Sequence, residues 1–138
     1  MNSVLSFCLM TFLLISCSSD EPKKLASHTT VVISESLYNQ TKTDNYTIEE
    51  AVIVGDSLKV TLQSSGCDGS EWAVKLVDSG AIAESYPVQR FAKIALENTE
   101  LCDAIVTKEY SIDITPLRVE DQLYLNLEGW ETQLHYDF

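Results

Sequence analysis

The chain of 138 residues carries 21 Asp and Glu against 9 Lys and Arg, a formal charge of −12 at neutral pH. A balance this acidic repels phosphate backbones, which excludes nucleic acid as a partner, and it gives no electrostatic reason to lie on an anionic membrane surface. No apolar run reaches the about 20 residues that a bilayer-spanning helix needs, and the length suits one domain.

In chain order, Val4 to Ile15 is apolar apart from Ser6, Cys8 and Thr11. A run of this length fits the core of a secretory signal peptide. The next four positions, Leu14-Ile15-Ser16-Cys17, resemble the lipobox of bacterial lipoproteins. One feature departs from that pattern: no Lys or Arg precedes the apolar run. The resemblance implies that residues 1–16 are cleaved off and that Cys17 becomes a lipidated N-terminus. Each buried CH₂ adds ~0.8 kcal/mol of membrane affinity, so several acyl chains on one cysteine give lasting attachment. Ser18-Ser19-Asp20-Glu21 resembles the surface-export signal of Bacteroidota lipoproteins. The expected place is therefore the outer membrane, lipid-anchored, with the cell surface ahead of the periplasmic face. Residues 17–28 read as a polar, Pro-broken tether, and residues 29–138 as the folded domain.

With Cys8 in the signal and Cys17 carrying lipid, Cys67 and Cys102 are left. Two cysteines in an exported chain usually pair, and here they would close a loop of about 36 residues. A redox or metal thiol pair is the alternative. No CxxC occurs, and only His28 and His135 could add imidazole ligands.

From Thr29 the pattern is that of short strands. Thr29–Ile33 is β-branched, with Leu37-Tyr38 read as its continuation, and Asn39–Tyr46 is a turn-rich loop. Ile48–Val54 is apolar on both faces at its end, as a central strand would be, and a turn at Gly55-Asp56 leads into the next strand. There Leu58, Val60 and Leu62 alternate with Lys59, Thr61 and Gln63. After the loop from Ser64 to Ser70, the residues Trp72, Val74 and Leu76 share one face; Asp78–Glu84 reads as a connection. Pro87 opens a strand holding Ala92, Ile94 and Leu96 on one face. Tyr110, Ile112 and Ile114 alternate until Pro116; Leu123, Leu125 and Leu127 alternate until Gly129; Leu134, Tyr136 and Phe138 follow.

The expectation is a small antiparallel β-sandwich of seven or eight strands. An immunoglobulin-like order stays open, although its hallmarks do not match: Trp72 falls too soon after Cys67, and Glu100 stands where the corner tyrosine belongs.

No triad or zinc spacing is present, and no phosphate-cradling glycine loop. His135 beside Asp137 reads as a surface pair. The carboxylates Asp68, Glu71, Glu128 and Glu131 read as solvated. No cofactor or metal is expected, and no enzymatic activity. Trp72 heads an apolar face and is expected in the core, whereas Trp130, in Glu128-Gly129-Trp130-Glu131, is the candidate ligand contact. The function expected is non-enzymatic binding of an envelope protein or a glycan. The rival readings are an accessory subunit of an outer-membrane complex and a small protease inhibitor.

Overall fold

The structure is a computed structural model that describes residues 29–138; the lipobox, Cys17, His28 and the tether lie outside the described residues. Eight strands follow one another: β1 (Thr30–Ile33), β2 (Thr47–Val54), β3 (Ser57–Gly66), β4 (Ala73–Ala83), β5 (Val88–Glu97), β6 (Ala104–Asp113), β7 (Gln122–Leu127) and β8 (Leu134–Asp137). A short helix, α1 (Glu35–Gln40), and a 3₁₀ turn (Thr115–Leu117) interrupt them. The strands form a five-stranded sheet in the order β1-β4-β5-β7-β8 and a three-stranded sheet in the order β2-β3-β6. The fold is an all-β sandwich.

Period-two alternation built the core. Leu58, Val60 and Leu62 of β3 are buried, as are Val74 and Leu76 of β4 and Ala92, Ile94 and Leu96 of β5. Tyr110, Ile112, Leu123, Leu125, Leu127 and Tyr136 join them in one cluster. Tyr46 plugs the cluster from the loop before β2, donating its hydroxyl to the Ile94 carbonyl at 2.8 Å. Burial, partly offset by that hydrogen bond, holds its hydroxyl well above the usual phenol range.

The structure differs from the sequence expectation at several places. Ser64, Ser65 and Gly66, read as loop, complete β3 by pairing with Val106, Ile105 and Ala104. Leu37-Tyr38 lies in α1, not in an extended β1. Ser34 accepts the Leu37 N–H at 3.2 Å as N-cap and Glu35 occupies the first turn, so the local signal is that of a helix start. Ile48–Val54 is an edge strand, because β3 takes the centre of its sheet.

Asp78–Glu84 is not a connection: β4 continues through Ala83, with its register against β5 shifting between Asp78 and Ile82. Gly80 supplies a φ of +77° there, and the turn-forming residues make a β-bulge. Pairing is also not wholly antiparallel, since β1–β4 and β5–β7 run parallel. After β5 the chain crosses to the other sheet as β6 and returns in β5's direction as β7; parallel neighbours need such a crossover. Finally, the strand order is not that of immunoglobulin domains, which place the first strand beside the second.

Cys67 and Cys102 form the disulfide, with Cα atoms 4.8 Å apart. It sits next to the last β3–β6 pair, Gly66 with Ala104. Glu100 completes this end of the molecule. Its carboxylate accepts the backbone N–H groups of Cys67 (2.7 Å), Gly69 (3.0 Å) and Glu71 (3.3 Å). Burial raises the Glu100 pKa, but the three amide donors outweigh it and the net shift is downward. A depressed carboxyl favours the folded state above its unfolded pKa, and the contribution is lost as pH falls through the folded value. Glu100→Gln is accordingly expected to speed hydrogen exchange at the Cys67, Gly69 and Glu71 amides at neutral pH, leaving the β3 amides protected. Unchanged exchange at those three amides would contradict this role.

Candidate ligand-binding face

The face of the five-stranded sheet turned away from the core carries an unusual set of side chains. Alternation in β5 places Gln89, Phe91 and Lys93 there, because Val88, Arg90, Ala92 and Ile94 point inward and are buried. In β7 the same rule selects Gln122, Tyr124 and Asn126, and in β8 His135. Strand register then sets Gln89 beside Tyr124, Phe91 beside Asn126, and Tyr124 beside His135.

These side chains hold one another. Gln133, just before β8, donates its Nε2 to Gln89 Oε1 and to Asn126 Oδ1, both at 2.9 Å. Asn126 donates Nδ2 to Gln89 Oε1 and to the Arg90 carbonyl, both at 3.2 Å. Gln89 in turn donates to Ser85 Oγ at 3.3 Å, and Gln122 to the Tyr86 hydroxyl at 3.4 Å. His135 Nε2 lies 2.9 Å from Gln122 Oε1, and its ring sits 5.2 Å from that of Tyr124. Tyr86 is 82% exposed.

An amide has two N–H donors and a carbonyl with two lone pairs. The web engages both N–H groups of Asn126 and of Gln133. One N–H of Gln89, one of Gln122 and the Gln133 carbonyl have no partner among the described residues.

The face continues into a groove of about 610 Å³ between α1 and the β4 bulge. Phe91, Ile33, Tyr38 and Ala81 give it apolar walls, and Ser34 and Ser79 give it hydroxyls. The Lys93 ammonium lies 4.5 Å over the Tyr38 ring and 3.3 Å from Glu128, which fixes that ring in place. Behind the bulge, the Asp78 carboxylate meets the Arg90 guanidinium in two hydrogen bonds (2.6 and 3.0 Å) and accepts the Gly80 N–H at 2.7 Å. The buried ion pair thus shapes the groove wall from inside. Oriented amides flanked by aromatic faces suit a ligand with hydroxyls at its edge and C–H groups on its flat side.

The residues singled out from sequence fall elsewhere, apart from His135 on the face and Glu128 at its border, paired with Lys93. Trp72 is in the core as expected. Trp130 is partly buried against that core, its indole N–H sealed without a partner; with Ile48 and Thr132 it lines a smaller groove. It is not the open platform its Gly-flanked turn suggested.

Asp68 accepts its neighbour's Ser70 N–H at 2.8 Å, while the Glu71 N–H goes to Glu100. Among the described residues no three His, Cys, Asp or Glu side chains gather as a metal site. Asp56, at the β2–β3 turn, is engaged by the Tyr136 hydroxyl (2.8 Å) and by Arg118. These two hydrogen bonds, with Tyr136 the larger, hold its carboxyl below the usual range. The amide web could not be found from sequence, where its members are isolated polar positions in alternating strands.

No protein-family model matches the chain, and no curated protein matches it. Among solved structures it is similar to a crystallised DUF1344 protein of unknown function from Bacteroides vulgatus ATCC 8482, with a TM-score of 0.53 at 12% identity. The match covers 80% of this chain and 56% of the other, so the chain spans little more than half of that protein's length. At this identity the likeness bears on the fold alone.

Proposed function

We propose that this chain is a lipid-anchored, non-enzymatic binding module of the outer membrane, and that the outer face of its five-stranded sheet takes a glycan. The lipobox-like Leu14-Ile15-Ser16-Cys17 supports the anchor. The observation that carries the binding reading is the web of Gln89, Asn126 and Gln133 amides beside Phe91 and Tyr124. Side-chain amides from β5, β7 and the segment before β8, tied to one another, are preorganised, so less rotamer entropy is lost when a ligand binds. A protein partner is the second reading. It is favoured by Leu101, 96% exposed and just before β6, and Ile105, 71% exposed and within β6, an edge strand of the smaller sheet.

Two measurements test the proposal. Growth with labelled palmitate should mark the wild type, and Cys17→Ala should lose both the label and membrane association; a label retained on the variant would refute the anchor. A glycan array probed with the detergent-solubilised full chain should capture it, and Gln133→Ala, altered at an exposed site, should be captured weakly or not at all. An array on which no glycan retains the wild type would overturn the glycan reading.

A further inference from the structure

We infer that the ligand of this face is an uncharged oligosaccharide, more than one sugar long, which lies across the strands with one end seated in the groove beside α1. The inference rests on the glycan reading above and narrows it to one chemical class.

Charge is the first argument. The web itself is neutral, being built of Gln89, Gln122, Asn126 and Gln133 with the rings of Phe91 and Tyr124. The cation at its border, Lys93, is already engaged by Glu128 and the Tyr38 ring. Glu35 lines the groove, and Asp137 follows His135 on β8. His135, the other titratable group on the face, already lies 2.9 Å from Gln122 Oε1. In a chain of formal charge −12, a uronate, sulfate or phosphate group would therefore meet net repulsion here, with only neutral amide donors to offset it.

Extent is the second argument. From the β4 bulge to β8 the face crosses β5 and β7, three inter-strand spacings or about 14 Å. The unused polar groups are spread along that path, on Gln89, Gln122 and Gln133, while the groove lies at its β4 end. A single sugar could not reach both. A chain of sugars crossing the strands could place one residue against Phe91 in the groove and offer hydroxyls to the amides beyond it.

The test is calorimetric titration of the detergent-solubilised full chain with neutral cello-, xylo- and manno-oligosaccharides, each from the single sugar to the hexamer. Oligogalacturonates and chito-oligosaccharide amines serve as anionic and cationic counterparts. For at least one neutral series, affinity should rise about tenfold or more between the single sugar and the tetramer, a difference of about 1.4 kcal/mol. It should not change with added sodium chloride, since no charge pair is formed. Phe91→Ala and Gln133→Ala should each lower it several-fold, and the second keeps the test meaningful if the first perturbs folding.

Tightest binding by a charged series, a strong salt dependence, or a single sugar binding as well as the hexamer would overturn this inference while leaving the glycan reading in place. Failure of every series to bind would overturn both.

Discussion

Asp78→Ala is expected to lower the unfolding free energy by about 3–5 kcal/mol, the usual consequence of stranding one member of a buried ion pair. Asp78 is 0% exposed and Arg90 4%, so neither is shielded by water. The guanidinium would keep its charge and lose both of its hydrogen bonds to the carboxylate. The Gly80 N–H would lose its acceptor in the same step. Arg90→Met strands the carboxylate instead and should cost a similar amount. Replacing both, as Asp78→Leu with Arg90→Met, should recover most of the loss, because well-packed apolar residues often substitute for a buried pair at little cost. Urea unfolding of the wild type, the two single variants and the double variant measures all of this. Single-variant losses under about 1 kcal/mol would contradict the described pair. Since Asp78 also shapes the bulge that walls the groove, Asp78→Ala should weaken ligand binding even at temperatures where the variant stays folded.

Removing the disulfide is the second large effect. Cys67 and Cys102 are 35 positions apart, and a cross-link closing about that length of chain removes enough unfolded-state entropy to be worth roughly 3.8 kcal/mol in the chain-entropy treatment. The native strands do not depend on it for alignment, because β3 and β6 pair in unbroken register from Ser57 with Asp113 to Gly66 with Ala104. Cys67→Ser with Cys102→Ser should therefore fold to the same sandwich with an unfolding free energy about 3–4 kcal/mol lower. At roughly 4 °C per kcal/mol for a domain of this size, the midpoint falls on the order of 15 °C. Both sulfurs belong to exposed residues, so dithiothreitol added to the wild type should have the same effect. A midpoint that does not move on reduction would contradict it.

How much of this could be read from the sequence depended on what alternation can carry. Leu58, Val60 and Leu62, or Leu123, Leu125 and Leu127, mark a buried face wherever the strand happens to lie, and the core followed them. Alternation carries no direction, which is why the parallel pairs β1–β4 and β5–β7 were invisible. It also does not distinguish an edge strand from a central one, as β2 showed. Asp78-Ser79-Gly80 has the chemistry of a turn, and only the inward Arg90 across the sheet turns that chemistry into a bulge inside a strand. Leu37-Tyr38 was too short a run to show any period, and the Ser34 cap was the better signal. The disulfide was legible because counting left two cysteines. The amide web was not: Gln89 and Gln133 are 44 positions apart, and what joins them is a sheet order that no local pattern encodes.

The most direct test of a glycan-binding sheet face is nuclear magnetic resonance of the side-chain amides during titration with an array-selected glycan. Resonances of the Gln89, Gln122, Asn126 and Gln133 NH₂ groups should shift together and saturate with one affinity, with the Phe91 and Tyr124 ring signals moving alongside. Shifts confined to Leu101, Ile105 and the neighbouring β6 edge, with those amides unmoved, would place recognition on the other sheet and contradict the assignment.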